Sequence, residues 1–261
     1  MSSNKITLKS ASDIEQLRIS GKILAEILET LSEMVKPGIV GDVLDKKAEK
    51  LARKYGATCS FRGFEGYPAN ICLSKNHEIV HGLPHGKIIE KGDIVGLDIG
   101  IKYKGFFTDS AVTKVIPDSN PKKERLAATG FQCLKNTLEY CRPGYRLGDI
   151  GYAVQNLAES RGYSVVKKLV GHGVGFSVHE APLVPNYGDK GKGMRLKPGM
   201  VLAIEPMLNE GGDDVALDSN DGWTFYTADG SMSAHFEWTV AITTGEPIIL
   251  TPLDWVKFQF E

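Results

Sequence analysis

The pattern of hydrophobic residues predicts two amphipathic helices near the start of the chain. Apolar residues recur at intervals of three, four and seven positions over residues 14–35, which places them on one helical face. Ser12 and Glu15 match the S-x-x-E capping box that opens a helix. The Pro-Gly pair at residues 37–38 ends it, and the same periodicity predicts a second helix over residues 42–55.

An alternating pattern predicts a β-hairpin over residues 94–115. In its first strand every second residue is apolar, and Asp98 lies on the opposite face between glycines. A two-residue turn at Lys104-Gly105 sets the register so that Asp98 lies opposite Ala111. Asp109 is then a diagonal neighbour of Asp98 on the same face, about 7–8 Å away between Cα atoms.

Two further predicted strands carry a carboxylate. The apolar run at residues 200–204 leads directly into Glu205. Residues 233–242 alternate apolar and polar side chains, which predicts one strand with Glu237 on its polar face. Residues 208–230 are rich in Gly, Asp and Asn, and their composition predicts a long loop.

A repeated spacing indicates that the chain contains two related halves. Asp149 lies 107 residues after Asp42, and both follow a glycine. Glu205 also lies 107 residues after Asp98, and both stand at the end of a predicted apolar strand segment. A shared offset favours an internal duplication, although Pro-Gly turns and apolar strands are common enough to produce such an echo by chance. The predicted single domain is residues 1–261, with pseudo-symmetric halves at about 12–115 and 120–250.

Composition and charge narrow the classes of function. The chain has 261 residues, 42% of them hydrophobic, which is enough for a substantial core. With 31 basic and 32 acidic residues it offers no strong field for nucleic acid. Its four cysteines show no CxxC spacing, and no apolar run approaches the roughly 18 residues of a membrane span. We therefore expect a cytoplasmic protein with no membrane and no specific nucleic-acid partner.

The carboxylates and one histidine suggest a metal centre. Two carboxylates as close as Asp98 and Asp109 repel each other unless a proton or a cation lies between them. An exposed hairpin face with ordinary solvated aspartates is the alternative interpretation of this pair. Glu205, Glu237 and His172, which stands in a Gly-His-Gly segment, add further donors. Such an oxygen-rich set suits two hard or borderline divalent ions better than a structural zinc, which prefers Cys and His.

The remaining histidines fall into two groups. His81 and His179 stand beside turn residues and are candidates for further ligands, or for groups that bind a substrate and its charged intermediate. We interpret His77, His85 and His235 as surface histidines or as histidines whose hydrogen bonds are satisfied.

Short segments along essentially the whole chain carry a family resemblance. They are residues 66–68, residues 74–84, the Asp98–Asp109 hairpin, and residues 171–173, 178–180, 203–207 and 233–237. Together they resemble the type I methionine aminopeptidases, and five ligand positions in order make the match specific. No sizeable insertion stands between His179 and Glu205, unlike in type II enzymes, and no Cys/His extension precedes the domain, so the bacterial form is the one resembled.

The resemblance implies an α+β pita-bread fold, with antiparallel sheet and flanking helices in two pseudo-symmetric halves. It also implies two divalent metal ions, with Co, Mn, Fe and Zn as candidates. By analogy Asp98 binds one ion, Asp109 and Glu237 bridge both, and His172 and Glu205 complete the shell of the other.

The implied reaction is removal of the N-terminal methionine from nascent proteins with a small second residue. Glu205 is implied to move a proton from water to the leaving amine, while His81 and His179 hydrogen-bond the substrate and its intermediate. The positions that match the methionine pocket are Phe64, Tyr67, Cys72, Val178 and Trp223. Phe61 also matches, but we interpret it as core packing.

Two positions depart from the family pattern in the pocket. Phe64 stands where a tyrosine is usual, and Val178 stands where a phenylalanine is common. Both residues keep the pocket apolar, so the departures affect its shape and selectivity. We further expect a monomer that works near the ribosome, where nascent chains emerge.

Two alternatives remain open on the sequence. A proline-specific peptidase of the same fold, such as a prolidase or an aminopeptidase P, fits the Val178-His179-Glu180-Ala181-Pro182 segment. Those enzymes usually carry a separate N-terminal domain, for which too few residues precede Asp98. The second alternative is a catalytically inactive domain of this fold that binds protein or RNA. Such proteins lose metal ligands, whereas all five ligand positions are present here.

Overall fold

Helices and antiparallel strands alternate along the chain in the computed structural model, which describes residues 6–258. The helices are α1 (Ala11–Met34), α2 (Gly41–Lys54), α3 (Pro121–Thr137) and α4 (Leu147–Ser160), with short 3-10 turns at Phe64–Gly66 and Leu138–Tyr140. The strands are β1 (Thr58–Cys59), β2 (Cys72–Lys75), β3 (Glu78–Val80), β4 (Ile94–Tyr103), β5 (Phe106–Val115), β6 (Ser164–Val165), β7 (Gly171–Gly173), β8 (Glu180–Val184), β9 (Val201–Ile204), β10 (Met207–Asn209), β11 (Val215–Leu217), β12 (Phe225–Thr227), β13 (Ser233–His235), β14 (Trp238–Ala241) and β15 (Ile248–Ile249). None of the helices in the described part is long and apolar enough to cross a bilayer.

The first helix begins two residues earlier than its capping pattern predicts. Ser10 is the N-cap: its hydroxyl accepts from the Asp13 amide at 3.2 Å, and the Asp13 carboxylate accepts from the Ser10 amide at 2.9 Å. The predicted box of Ser12 and Glu15 is therefore wrong. Glu15 instead forms an exposed ion pair with Arg18. The error arises because S-x-x-D and S-x-x-E occur two residues apart, and either can cap a helix.

The predicted hairpin forms with the predicted register. β4 and β5 pair over ten residues each, and Asp98 lies opposite Ala111. Lys104 and Gly105 have φ angles of 48° and 88°, as the tight turn between twisted strands requires. Asp98 and Asp109 consequently share one face of the sheet, because side chains alternate with a period of two.

A second sheet holds the other candidate donors, and polar side chains join it to the hairpin. Its strand order is β15-β14-β9-β7-β8, with His172 in β7 and Glu205 directly after β9. The Thr239 hydroxyl accepts from the Asp109 amide at 3.0 Å and donates to the Asp109 carbonyl at 2.7 Å. The Glu237 amide donates to a carbonyl of β5 as well. These bonds align the two sheets at the level of the carboxylates.

The prediction of one alternating strand over residues 233–242 is wrong. β13 pairs with β10, whereas β14 pairs with β9, so the chain changes sheets between His235 and Trp238. Both faces of these strands are buried, Phe236 completely. Alternation predicts a half-exposed strand, and it does not detect a break between two strands that are buried on both sides.

The predicted long loop at residues 208–230 also contains regular structure. It carries the end of β10, then β11 and β12, which pair with each other. β12 pairs on its other side with β3, and Phe225 lies opposite Val80. Strands of three residues between Gly- and Asp-rich turns leave little periodic signal in the sequence.

Helix pairs precede both ligand-bearing strand pairs. α1 and α2 come before the β4–β5 hairpin, and α3 and α4 come before β9 and its partner β14. One large cluster of buried apolar residues connects these helices with both sheets. The predicted α+β class is confirmed, while the bounds of the two halves stay a prediction.

The close approach of α1 to the C-terminal segment yields a stability test. A methyl group at Gly21 would lie 2.0 Å from the Leu250 carbonyl oxygen. We expect Gly21→Ala to lower the free energy of unfolding in urea by about 1–3 kcal/mol, although alanine is the better helix former by about 1 kcal/mol. Lys22→Ala, on the exposed side of the same helix, should change it by less than about 0.5 kcal/mol. Equal stability of the two variants would contradict this packing.

Candidate active site

One cavity of about 150 Å³ gathers every predicted site residue. Its lining comes from both sheets and from the segments that connect them. The predicted residues that line it are Phe64, Tyr67, Cys72, His81, Asp98, Asp109, His172, Val178, His179, Glu205, Trp223 and Glu237. The exposed-hairpin interpretation of the two aspartates is therefore wrong.

Strand pairing brings three carboxylates together. Asp98 in β4 lies opposite Ala111 in β5, and the Glu237 amide donates to the Ala111 carbonyl at 2.9 Å. Asp109 lies two residues away on the same face of β5. Donor atoms of Asp109, Glu237 and His172 all lie within 4.8 Å of one another. Groups 128 residues apart along the chain, Asp109 and Glu237, are thus fixed by backbone contacts.

His172 and Glu205 approach from the second sheet. His172 pairs with Ala203 in β9, and Glu205 stands two residues after Ala203, directly after the end of that strand. The His172 Nε2 atom lies 3.6 Å from Glu205 Oε1. The His172 Nδ1 atom lies 2.8 Å from the Gly173 carbonyl oxygen, which can only accept a hydrogen bond. Nδ1 therefore carries the proton in the neutral ring, and the Nε2 lone pair faces the carboxylates, as in metal-binding histidines.

The negative charges of the carboxylates in this cavity have no basic partner in the described part of the chain. Within residues 6–258 no lysine or arginine pairs with Asp98, Asp109, Glu205 or Glu237. Burial raises the pKa of Asp109 to about 7. Burial, followed by the neighbouring carboxylates, raises the pKa values of Asp98, Glu205 and Glu237 well above the usual carboxyl range. The cluster therefore favours protons or another cation.

The donor set fits a divalent metal ion. Asp98 Oδ1 and Glu237 Oε1 are buried without a hydrogen-bond partner. An unpaired buried polar group costs about 1–3 kcal/mol, so such atoms in a native site call for a partner. Carboxylate oxygens with one neutral imidazole form the mixed O/N set of hard and borderline divalent ions. A cation among them would satisfy the orphan oxygens and relieve the mutual repulsion.

Two more histidines face the cavity in their neutral form. Burial lowers the pKa of His81 to about 4, and burial also lowers the pKa of His179. The ring centroid of His179 lies 4.0 Å from that of His172 and 5.0 Å from that of Phe64. His81 has a left-handed φ of 59°, a strained conformation of the kind that clusters at functional sites. Each neutral ring can donate one hydrogen bond and accept one.

An apolar wall lies beside these polar groups. Phe61, Tyr67, Cys72 and Val178 form a buried cluster, with Phe64 and Trp223 packed against it. The rings of Tyr67 and Trp223 meet edge to face at 5.3 Å. Burial raises the pKa of the Cys72 thiol well above its usual value, so this sulfur is uncharged. Phe61 is 9% exposed, as core packing requires, and it also lines the cavity.

His235 is the functional-site residue that the sequence analysis missed. It is 4% exposed, and its Nε2 atom lies 3.5 Å from Glu205 Oε2 without forming a hydrogen bond. Its interpretation as a surface or satisfied histidine is wrong, whereas His77 and His85 are exposed as expected. The available signal was its position two residues before Glu237. His235 lies behind Glu205 and does not itself line the cavity; the lining residues not singled out are Glu65, Val80, Leu169, Val170 and Met207.

A wider groove of about 1210 Å³ lies elsewhere, between α1, β5, α3 and the C-terminal segment. Acidic and basic side chains mix along it, among them Glu33, Lys114 and Arg161. In residues 6–258 the converging donor group is that of Asp109, His172 and Glu237, which lies in the smaller cavity. The smaller cavity is therefore the candidate active site.

Comparison with known proteins defines the class. The sequence pattern of metallopeptidase family M24 matches residues 15–244. A methionine aminopeptidase from Clostridium perfringens is 45% identical over 247 residues, which are 94% of this chain and 98% of that protein. The crystal structure of methionine aminopeptidase from Rickettsia prowazekii superposes with a TM-score of 0.93 at 36% identity, and the match covers 95% of this chain and 100% of that one.

The chain therefore belongs to metallopeptidase family M24 and is a hydrolase of that family. Within it, the bacterial methionine aminopeptidases are the relatives that it matches almost end to end. The resemblance found in the short motifs is thus confirmed over nearly the full length.

The proline-specific alternative shares the fold but is not favoured. A prolidase from Pyrococcus furiosus superposes with a TM-score of 0.74 at 25% identity, and the match covers 94% of this chain but 65% of that chain. The predicted pita-bread fold is confirmed by both groups of structures. The higher identity and the matching length both favour the methionine enzymes.

The buried charge of Asp109 predicts a pH-dependent stability difference between the metal-free wild type and an Asp109→Asn variant. The pKa of Asp109 is about 7 in the folded state and 3.8 as the ordinary value. Between these two values the folded wild type binds more protons than the unfolded chain, so its free energy of unfolding falls as the pH rises from about 4 to about 7. Asparagine stays neutral, so the variant should gain about 2 kcal/mol relative to the wild type between pH 5 and pH 8.

Urea unfolding in the presence of a chelator measures this difference. Buried histidines titrate in both proteins, and the variant also removes the Asp109 charge that raises the pKa values of Asp98, Glu205 and Glu237, so the measured difference includes this effect. Excess Mn²⁺ should reverse the order by stabilising the wild type more. A constant difference from pH 5 to pH 8 would show that Asp109 carries its charge without penalty.

Proposed function

We propose that this chain hydrolyses the first peptide bond of polypeptides that begin with methionine, and so releases the N-terminal methionine. The observation that supports the proposal is a single cavity lined by five potential metal ligands on one side and by an apolar wall on the other. The names of the relatives from Clostridium perfringens and Rickettsia prowazekii agree with this activity.

The proposed cofactor is a pair of divalent ions held by Asp98, Asp109, His172, Glu205 and Glu237. When bound, such ions act as Lewis acids toward a carbonyl and lower the pKa of water to near neutrality. Co, Mn, Fe and Zn all accept this mixed O/N donor set. Four carboxylates that have no lysine or arginine partner in the part of the chain that the structure describes support more than one positive ion.

Glu205 is the proposed proton carrier. Its carboxylate lies within 3.6 Å of the imidazole nitrogen of His172 and 3.5 Å of that of His235. Burial raises its pKa well above the usual carboxyl range, which favours the uptake of a proton. In the proposed reaction it takes a proton from the attacking water and gives it to the leaving amine.

His81 and His179 are proposed to hydrogen-bond the substrate. Both line the cavity, and burial keeps both rings neutral near pH 7. A neutral ring that donates to the developing oxyanion stabilises the transition state more than the ground state. Removal of one such donor typically lowers the rate by about 10²–10³.

The apolar wall is the proposed binding site for the methionine side chain. Tyr67, Cys72, Val178 and Trp223 present aromatic, sulfur and branched groups to the cavity, with Phe64 beside His179. A flexible, polarisable thioether packs well against such surfaces. Val178 is a small residue and leaves space beside the wall. Selectivity for substrates with a small second residue is also part of the proposal.

The cellular location and the oligomeric state of the protein are also part of the proposal. A cytoplasmic location fits the four free cysteines. Action on nascent chains near the ribosome, and a monomeric state, stay predictions.

Activity on a peptide panel tests the function. Wild type should cleave Met-Ala-Ser peptides and leave Ala-Pro peptides intact, whereas preferential Ala-Pro cleavage would assign the chain to the proline-specific enzymes. His81→Ala and Glu205→Gln should lower kcat/KM by about 10²–10⁴. His85→Ala is the matched control: this exposed histidine contacts Asp42 and should leave kcat/KM unchanged.

Metal content tests the cofactor independently of activity. Equilibrium dialysis against Mn²⁺ followed by elemental analysis should find two ions per wild-type chain. Asp109→Ala should bind fewer than two. Asp149→Asn, which alters a buried carboxylate that caps α4, should still bind two. A wild type that binds no divalent ion would support the inactive-domain alternative.

A further inference from the structure

A buried ion pair ties the start of the chain to the edge of the active site. The Lys9 ammonium contacts Glu180 Oε2 at 2.5 Å, and their side chains are 2% and 11% exposed. Lys9 lies just before α1, whereas Glu180 begins β8. Glu180 is the sole carboxylate partner of Lys9 among residues 6–258. Removing one member of such a pair leaves an uncompensated buried charge.

The same carboxylate organises the turn between β7 and β8, residues 174–179. Glu180 Oε1 accepts from the backbone amides of Phe176 at 2.5 Å and Ser177 at 3.0 Å. A charged acceptor makes these bonds about twice as strong as neutral ones. One oxygen of Glu180 thus binds the turn, and the other binds Lys9.

Lys9 packs along the turn in addition to pairing with Glu180. A methyl group at Gly175 would lie 2.5 Å from Lys9 Cε, so the side chain fills the space against this glycine. The ammonium lies 5.2 Å from the ring centroid of Phe176. The Lys9 amide donates to the Gly199 carbonyl at 2.7 Å, which anchors Lys9 to the segment before β9.

The residues held by this turn face the cavity. Val178 and His179 are its last two residues and precede Glu180 directly. The Ser177 hydroxyl donates to the His179 carbonyl at 3.1 Å, so the capped turn also contacts the backbone of His179. A small rotation of the turn would change the position of the His179 ring within the cavity, relative to His172.

These contacts lead to an inference that rests on the proposed function. The geometry points to Lys9 as a positioning residue: through Glu180 it fixes the 174–179 turn, and with it His179 and Val178, in the arrangement that hydrolysis needs. Neither Lys9 nor Glu180 lines the cavity. Lys9 therefore acts through the turn, without contact to the substrate.

Two readouts on four variants test this role. The first is steady-state kinetics on a Met-Ala-Ser peptide, and the second is amide hydrogen exchange of the metal-free chain at Phe176 and Ser177. Lys9→Met should lower kcat about 10- to 100-fold, with KM changed less than about threefold because Tyr67, Cys72 and Trp223 of the pocket wall lie outside the turn. Exchange at the two amides should accelerate in the same variant.

A paired substitution separates positioning from bulk stability. In Lys9→Met/Glu180→Gln no charge is left unpaired, and the glutamine oxygen can still accept from the two amides. We expect this double variant to regain kcat to within about threefold of the wild type. Lys9→Met/Glu180→Ala lacks the acceptor and should stay as slow as Lys9→Met.

Lys75→Met is the matched control. Lys75 pairs with Asp93 at 2.9 Å, and their side chains are 17% and 7% exposed. Its loss should lower the unfolding temperature without changing kcat. The inference is overturned if Lys9→Met keeps wild-type kcat and exchange rates, if Lys75→Met slows the reaction equally, or if the glutamine double variant is no faster than Lys9→Met. A wild type that cleaves no methionyl peptide would refute the proposed function, whereas the exchange data would still decide whether Lys9 holds the turn.

Discussion

Four carboxylates line one cavity, none of them with a lysine or arginine partner among residues 6–258, and they impose the main constraint on this structure. Their mutual repulsion would separate them if the backbone could relax. It cannot, because the Thr239 hydroxyl bonds both the amide and the carbonyl of Asp109, and the Glu237 amide bonds the neighbouring carbonyl of β5. The sheets thus hold the charges in place, and the unsatisfied charge becomes available to bind cations. This unsatisfied charge is the physical basis for the proposed affinity of the site for divalent metal ions.

The part of the site that could be predicted from sequence is the part set by local geometry. Alternation and a two-residue turn determine the register of the β4–β5 hairpin, and this register alone places Asp98 and Asp109 on one face. The ends of α2 and β9 follow from similar local signals. The capping box of α1 shows the limit of such signals, because two overlapping patterns lie two residues apart and the sequence pattern does not distinguish between them.

The rest of the site depends on contacts between distant segments. Nothing local indicates that the Glu237 amide meets the Ala111 carbonyl, or that His235 lies beside Glu205. Hydrophobic periodicity distinguishes a buried face from an exposed one, so it carries no information where both faces of β13 and β14 are buried. The roles of His172, Glu205 and the pocket residues therefore came from the family resemblance. The structure supplies the distances between these residues.

The relation between the charged and apolar sides of the cavity follows from one strand pair. Cys72 in β2 lies directly opposite Asp98 in β4, and such partners are about 4.5–5.5 Å apart at Cα. The apolar wall therefore begins one side chain away from the carboxylates. In the proposed function, a terminal methionine side chain on that wall would place its own carbonyl next to the carboxylates. The short distance between the two strands thus supports the proposed removal of one residue at a time.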